Sequence, residues 1–316
     1  MAKSASPAST SRIRRREEAQ RRVRRQRQRR NAGVVVAALV VVGLIAGGWW
    51  LIRDSGPSQA QALSQLDTQD FHSLAFDPTD SNTLYFGHHQ GLKVSHDGGK
   101  SWQDTAVKNA DAMELGMPSA DAGRRYIAGH NVLQISTDGG QTWSVPSTNL
   151  PDGDLHGFAV APSDPNRLYT YAVGANSFFT SADGGTNWET RALPAGAAGM
   201  LPLAVAPDDP LHVYAGVGNQ IAESRDGGKT WQSMTGPGGL VASLAIGPAA
   251  PTTFYVGTEN GLWKRTGNEA WQQVPVTTAG AVLALAVSPS QPEHIALFDQ
   301  NGNFYRSDDG GQTWAQ

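Results

Sequence analysis

The sequence of 316 residues contains no cysteine. This absence excludes a disulfide framework, a thiolate nucleophile and a cysteine-ligated metal site. Two common enzyme motifs are also missing, a Gly-rich phosphate loop between a strand and a helix and the G-x-S-x-G turn of hydrolases. From Arg53 onward 13 basic residues stand against 26 acidic ones, and this negative charge argues against nucleic-acid binding by that part of the chain.

Positive charge is concentrated at the amino terminus. Residues 1–31 hold Lys3 and eleven arginines against two glutamates, a run that could bind nucleic acid or anionic lipid. Residues 33–52 carry no charge over twenty positions, the length that a helix needs to cross a membrane. Trp49 and Trp50 close this segment like an interfacial anchor, and the arginines before it keep the amino terminus in the cytoplasm.

We therefore predict a single-pass protein of the cell membrane. Its parts are a basic cytoplasmic tail at 1–31, a transmembrane anchor at 32–52, a polar linker at 53–70 and an extracytoplasmic domain at 71–316. The predicted partners are the membrane, through this helix, and an extracytoplasmic protein, peptide or glycan, and we expect the domain to be a monomer.

One eight-residue pattern, S-x-D-G-G-x-x-W, occurs five times, at 95–102, 136–143, 181–188, 224–231 and 307–314. A sixth copy at 264–271 has lost the aspartate but keeps Trp271, and the six tryptophans are 41, 45, 43, 40 and 43 residues apart. A period in the forties indicates a repeat array, and DGG between two apolar runs predicts a hairpin. The residues of these turns are Asp97, Trp102, Asp138, Trp143, Asp183, Trp188, Asp226, Trp231, Asp309 and Trp314.

The pattern resembles the Asp-box, or BNR repeat, of sialidases, sortilin-type receptors and photosystem II assembly factors. Those families are β-propellers in which the box closes the hairpin between the third and fourth strands of a blade. The box lies there on the rim away from the active face. The resemblance therefore implies a structural role for the five aspartates and says almost nothing about chemistry.

Each repeat of about 42 residues has room for four short strands, which is one propeller blade. We predict an all-β, six-bladed β-propeller preceded by the single transmembrane helix. The last repeat ends too early to form its outer strand. We expect residues 60–66, in the linker, to supply that strand and close the ring.

The blade topology places the histidines on two faces. Inner strands begin at one face, here called the top, and the Asp-box hairpins lie at the other, the bottom. His96, His212 and His294 fall at the bottom. The top face of blades one to three receives five histidines and one aspartate on the inner strand of blade two, namely His72, His88, His89, Asp111, His130 and His156.

Short strings around these residues resemble a group of bacterial exported Asp-box proteins that are usually described as glycosyl-hydrolase-like. The resemblance covers about the first three blades and implies site positions at His72, His89, Asp111, His130 and His156. Ser73 stands where the group has glycine, and Leu155 where it has phenylalanine. The description of that group rests on fold analogy and does not show hydrolysis.

Three interpretations of these five residues stay open. Several imidazoles and a carboxylate are suitable ligands for zinc or another first-row divalent ion. The same groups could form a metal-free site for a glycan or a peptide terminus. They could also be structural histidines that hydrogen-bond to backbone. His89 is favoured over His88 because consecutive strand residues face opposite ways.

Sialidases bind the substrate carboxylate with three arginines. Only seven arginines follow the linker in this sequence. The predicted topology directs six of them to the bottom face, so the sequence argues against sialidase activity. We therefore predict a binding or assembly module with a His/Asp site at the top of blades one to three. The alternative prediction is a glycosyl-hydrolase-like enzyme.

Overall fold

The computed structural model describes residues 61–68, 70–248 and 250–315. The strands in these residues form six antiparallel sheets, five with four strands and one with three. The inner strand of each sheet contacts the inner strand of the next, and the last contacts the first. The predicted six-bladed β-propeller is therefore confirmed, and no helix occurs among the described residues.

The first three blades contain the strands that position the candidate site. Blade one comprises β2 (Ser73–Phe76), β3 (Leu84–His88), β4 (Gly91–Ser95) and β5 (Gln103–Lys108). Blade two comprises β6 (Glu114–Gly116), β7 (Arg125–Gly129) and β8 (Val132–Ser136). Blade three comprises β9 (Leu155–Ala161), β10 (Asp164–Ala172), β11 (Ser177–Ser181) and β12 (Trp188–Arg191).

The other three blades each have four strands. Blade four comprises β13 (Leu203–Val205), β14 (Val213–Val217), β15 (Gln220–Ser224) and β16 (Gln232–Thr235). Blade five comprises β17 (Ser243–Gly247), β18 (Thr253–Thr258), β19 (Gly261–Thr266) and β20 (Gln272–Gln273). Blade six comprises β21 (Val282–Val287), β22 (Ile295–Asp299), β23 (Asn303–Ser307) and, from before blade one, β1 (Ser64–Gln65).

Strand β1 supplies the outer strand of blade six. Ser64 is paired with Phe304 and Gln65 with Asn303, in antiparallel register. The indole Nε1 of Trp102, in blade one, donates a hydrogen bond to Ser64 Oγ at 3.3 Å. The ring is thus closed by pairing between a segment before blade one and the last blade, which covers an exposed sheet edge.

Blade two is incomplete. Its inner strand β6 has three residues, and its outer edge is reduced to one bridge between Ile135 and Ser144. Asp111, which we expected on the inner strand, precedes it.

Blade five is complete although its turn has lost the Asp-box aspartate, and Trp271 Nε1 donates to Thr235 O of blade four at 2.9 Å.

The apolar core lies between neighbouring blades. One cluster joins Phe76 and Phe86 of blade one to Phe298 and Phe304 of blade six, all four of them buried. Gly99, in the first Asp-box turn, has φ of 93°, and a Cβ there would lie 2.0 Å from the Phe304 ring. The second glycine of this turn is therefore needed both for the backbone conformation and for contact with the preceding blade.

None of the residues that the structure describes belongs to a helix long and apolar enough to cross a membrane. The anchor predicted at 32–52 and the basic tail at 1–31 lie outside the described residues.

Candidate functional site

Seven side chains of blades one to three meet at the top face, and we call them the top-face cluster. They occupy the segments that enter the inner strands and the segments that leave the second strands. The cluster contains four histidines and three aspartates, namely Asp70, His72, His89, Asp111, His130, Asp154 and His156. All five residues predicted from the sequence are therefore brought together, and two aspartates join them.

Blade one contributes Asp70 and His72 just before β2, and His89 just after β3. The Nε2 atoms of His72 and His89 are 3.1 Å apart, and His89 Nε2 is 3.7 Å from Asp70 Oδ1. One ligand atom from each of the three residues lies within 4.8 Å of the other two, a spacing that a single metal ion could bridge.

Asp111 lies between the blade-one and blade-two histidines. Its Oδ1 is 2.8 Å from His89 Nδ1, and its Oδ2 forms a short contact with His130 Nδ1. Its side chain is 14% exposed, the least of the three aspartates. A Cβ at Gly129 would lie 2.1 Å from the Asp111 carbonyl oxygen, so glycine before His130 lets this segment approach β7 closely.

Blade three contributes Asp154 and His156 at the start of β9. Asp154 forms a β-bridge with His130, which ties blade three to the end of the second strand of blade two. Asp154 Oδ1 is 3.0 Å from His156 Nε2 and 3.6 Å from His130 Nε2. These three residues form a second group whose ligand atoms lie within 4.8 Å of one another.

His88 is outside the cluster, as the strand alternation predicts. Its ring is stacked on Phe86 at 5.7 Å between centroids, and it lines a separate cavity with Lys93 and Asp104. The bottom-face histidines also have other partners: His96 contacts Thr83, His212 contacts Glu223 and His294 contacts Arg306.

Two imidazoles of the cluster, those of His72 and His156, have lowered pKa values. Burial, and after it the neighbouring His89, lowers the pKa of His72 to about 4. Burial also lowers the pKa of His156, against the opposing effect of Asp154. A neutral imidazole keeps a lone pair on one ring nitrogen, which is the form that binds a metal ion or accepts a hydrogen bond.

His72 also lines the central channel. The channel encloses a cavity of about 260 Å³ lined by the inner strands, including the side chain of Glu114 on β6. Burial raises the pKa of Glu114 to about 8. This carboxyl group is therefore protonated over most of the neutral range, which makes it a hydrogen-bond donor and a potential general acid.

No arginine contacts the top-face cluster among the described residues. Five of the seven arginines beyond the linker form ion pairs with acids elsewhere: Arg124, Arg125, Arg191, Arg225 and Arg306. A three-arginine clamp for a substrate carboxylate is not found among the described residues of the cluster.

Each of the five Asp-box aspartates stabilises its own hairpin turn by hydrogen bonds. Asp226 Oδ1 accepts hydrogen bonds from the Thr230 amide at 2.9 Å and the Ser224 hydroxyl at 2.8 Å, and Oδ2 accepts from Thr230 Oγ1 at 2.6 Å. The same pattern recurs around Asp97, Asp138, Asp183 and Asp309. These residues are satisfied within their hairpins, as a structural role requires.

The Asp-box tryptophans differ in burial. Only Trp188 is buried, at 6% exposure, while Trp102, Trp143, Trp231 and Trp314 are half-buried. Trp231 Nε1 donates to Ala192 O, at the end of blade three, at 2.7 Å. The tryptophans thus connect neighbouring parts of the ring to different degrees.

Comparison with known proteins agrees with this architecture. The family model described as BNR/Asp-box repeat matches residues 93–104, 134–145 and 305–316. No curated protein matches the sequence.

Solved structures share the fold at low sequence identity. A GH74 xyloglucanase from Xanthomonas campestris is 20% identical with a TM-score of 0.56, over 82% of this chain and 46% of that enzyme. YCF48 bound to D1 peptide is 19% identical with a TM-score of 0.52, over 84% of this chain and 86% of that protein. YCF48 from Cyanidioschyzon merolae is 21% identical, also with a TM-score of 0.52, over 79% and 85%. The chain therefore spans less than half of the xyloglucanase, and at these identities the likeness shows the fold alone.

Proposed function

We propose that this six-bladed Asp-box propeller is a membrane-anchored, extracytoplasmic binding or assembly module. Its ligand site is the top-face cluster. The observation that carries this proposal is the unbroken series of contacts through four imidazoles and three carboxylates from three different blades. Of these contacts only the one between His130 and Asp154 accompanies a β-bridge.

We further propose that the cluster binds a divalent first-row ion, with zinc as the first candidate. Zinc takes imidazole nitrogen and carboxylate oxygen at about 2.0–2.2 Å, which sets its ligand atoms roughly 3–3.5 Å apart. The His72–His89 and Asp154–His156 contacts of 3.1 and 3.0 Å are in this range. An ion with an open coordination position would then take a carboxylate, carbonyl or hydroxyl of a partner peptide or glycan.

The comparisons support a binding role without assigning a ligand. One propeller of this fold is described in complex with the D1 peptide, and others are GH74 enzymes. A peptide and a glycan are therefore the first partners to test.

The direct test is zinc uptake by the purified chain, measured by elemental analysis after gel filtration. We expect zinc to co-elute with the chain and to be lost from the His72→Ala, His156→Ala double variant. The matched control is His96→Ala, at the bottom face, which should retain zinc. Absence of zinc, cobalt and nickel from the wild type after loading would overturn the metal proposal.

Membrane anchoring is tested by a reporter that is active only outside the cytoplasm, such as alkaline phosphatase. A fusion after Gln316 should be active, and a fusion after Arg30 should be inactive, because the charge-free segment lies between them. Reversed activities would overturn the proposed topology.

A glycosyl-hydrolase-like enzyme is the second candidate, and Glu114 is the observation that favours it. A protonated carboxyl group in the channel beside His72 could protonate a glycosidic oxygen, provided that a second carboxylate serves as nucleophile or base. Xyloglucan and other β-glucans are the first substrates to test. Activity that disappears in Glu114→Gln would support this candidate, and no activity on the panel would exclude it for these substrates.

A further inference from the structure

We infer that the top-face cluster is a pair of similar metal sites that share one positioning carboxylate, rather than a single site. This inference rests on the proposed metal binding. The blade-one site consists of Asp70, His72 and His89. The blade-three site consists of His130, Asp154 and His156. Each offers two imidazole nitrogens and one carboxylate oxygen to an ion.

The two sites resemble each other in their sequence spacing and in the geometry of their imidazole rings. An aspartate and a histidine two residues later enter the inner strand in each case, as Asp70-Phe71-His72 and as Asp154-Leu155-His156. The second histidine follows a second strand in each case, but His89 follows β3 of the same blade, whereas His130 follows β7 of the preceding blade. The relative orientation of the two imidazole rings is also similar in the two sites. The His72–His89 centroids are 4.5 Å apart with a 71° interplanar angle, and the His130–His156 centroids are 4.8 Å apart with a 77° angle.

Asp111 explains how both sites are oriented at once. An ionised carboxylate only accepts hydrogen bonds, so His89 and His130 each donate an Nδ1–H to it. A neutral imidazole has one proton, and its Nε2 lone pair is then free to bind an ion. His89 Nε2 faces His72 and Asp70, at 3.1 and 3.7 Å, and His130 Nε2 faces Asp154 Oδ1 at 3.6 Å.

This is the arrangement by which a carboxylate behind a metal-ligating histidine fixes its tautomer and ring orientation. The burial of the three aspartates agrees with it. Asp111 is 14% exposed, whereas Asp70 and Asp154 are 43% and 35% exposed at the two ends. The most buried carboxylate is the one that has two imidazole donors, and the two more exposed ones remain accessible to an ion and its ligand.

The competing arrangement is one ion held by His89, Asp111 and His130, whose ligand atoms also lie within 4.8 Å of one another. In that arrangement both Nδ1 atoms must lose their protons. The Asp70–His72 and Asp154–His156 pairs would then be outside the ligand set. The two arrangements predict different numbers of bound ions and different effects of the same substitutions.

The first experiment counts ions. The purified chain is loaded with excess Zn²⁺, separated from free metal by gel filtration and analysed for zinc per chain. Two ions per chain are expected. One ion would overturn the paired sites while leaving the proposed metal binding intact, and no bound zinc would overturn both.

The second experiment assigns each ion with single variants. His72→Ala and Asp70→Asn should each reduce the count from two to one by emptying the blade-one site. His156→Ala and Asp154→Asn should do the same at the blade-three site. His212→Ala, at the bottom face, is the matched control and should keep two. Thermal unfolding of each variant without metal verifies that it folds, and zinc retained at two in all four site variants would overturn the assignment.

The third experiment isolates Asp111. Asp111→Asn should raise both dissociation constants together, by about 10- to 100-fold, because it removes a positioning group and no ligand. Bound Co²⁺ should keep its visible absorption bands in this variant, whereas His72→Ala should remove about half of their intensity. A central single site predicts the opposite result. There Asp111→Asn would abolish binding with loss of the Co²⁺ bands, and His72→Ala would leave both unchanged.

Discussion

Aspartate serves two different purposes at the two ends of this ring. At the bottom, Asp226 accepts hydrogen bonds from the Ser224 hydroxyl and from the Thr230 amide and hydroxyl, all within four residues. At the top, Asp111 contacts His89 and His130, which are 22 and 19 residues away in the sequence. The first contacts close a turn, and the second join separate blades.

The difference shows which parts of a repeat protein carry function. A turn that is satisfied by its own neighbours can be copied from blade to blade, and the Asp-box is found in five of six. The top-face cluster draws on three adjacent blades and occurs once. Blades four and five have apolar residues, Leu201 and Ala242, at the positions that correspond to His72 and His156. The departures from the repeat, more than the repeat itself, therefore locate the candidate site.

We expect the largest loss of stability when an Asp-box tryptophan at the bottom face is removed. Trp188→Ala removes the buried Asp-box tryptophan and should lower the free energy of unfolding by about 3–5 kcal/mol, the usual result of deleting a buried aromatic side chain. Urea unfolding followed by circular dichroism measures this loss, and zinc uptake of the folded variant should match the wild type.

Trp271→Ala is the companion variant in the blade without an Asp-box aspartate. Its ring is half-buried, so we expect a smaller but measurable loss of stability. An unchanged urea midpoint for Trp271→Ala, or a loss below about 1 kcal/mol for Trp188→Ala, would contradict the proposed role of these rings in joining the blades.

The next prediction compares an Asp-box aspartate, Asp226, with Asp111 of the top-face cluster. Asp226→Ala leaves backbone amides of the turn unpaired and should cost about 1 kcal/mol of stability, the order seen when a capping side chain is replaced by alanine. Zinc affinity should be unchanged. Asp111→Ala should show the reverse, weak zinc binding with a smaller change in the unfolding midpoint. Equal stability losses in the two variants, with equal zinc affinity, would remove the distinction.

Much of the fold could be predicted because its signals are local. Six tryptophans at nearly constant spacing imply six blades, and DGG fixes each turn. The sequence around residues 110–117 indicates that blade two departs from the repeat, but the extent of its short inner strand could not be predicted. Its boundaries depend on contacts with neighbouring strands, such as the Ala112 amide that donates to His88 O at 3.1 Å.

The candidate site was only partly accessible from the sequence for the same reason. The face of His72, His130 and His156 follows from strand alternation and blade order. Asp70 was missed because it lies in the segment interpreted as linker, and its proximity to His89 depends on tertiary packing. The repeated D-x-H spacing shared with Asp154 was the one signal that could have revealed it.

Acid should abolish the contribution of the bottom-face aspartates. Hydrogen bonds from the Thr230 side chain and backbone lower the pKa of Asp226 from 3.8 to about 2. A carboxyl group with a lowered pKa in the folded state stabilises the fold above its unfolded pKa and loses that effect as the pH falls through the folded value. The difference of about 1 kcal/mol between wild type and Asp226→Ala should therefore be constant from pH 7 to about 5, decrease below that and be lost only below about pH 2. A difference that is unchanged between pH 5 and about pH 2 would contradict this assignment.

We expect the smallest change in zinc affinity and stability from a substitution at His88, one residue from the candidate site. His88 and His89 are adjacent, yet only His89 faces the top-face cluster, since His88 is stacked on Phe86. His88→Ala should leave the zinc dissociation constants within about twofold and change stability by less than about 1 kcal/mol, because the ring is half-buried. His89→Ala should weaken zinc binding by at least about tenfold at the blade-one site. Both variants remove one imidazole, at adjacent positions. His88→Ala is therefore the control for the loss of an imidazole from this loop. Equal zinc affinities in both would show that the direction of the side chain, which follows from the strand alternation, does not determine binding.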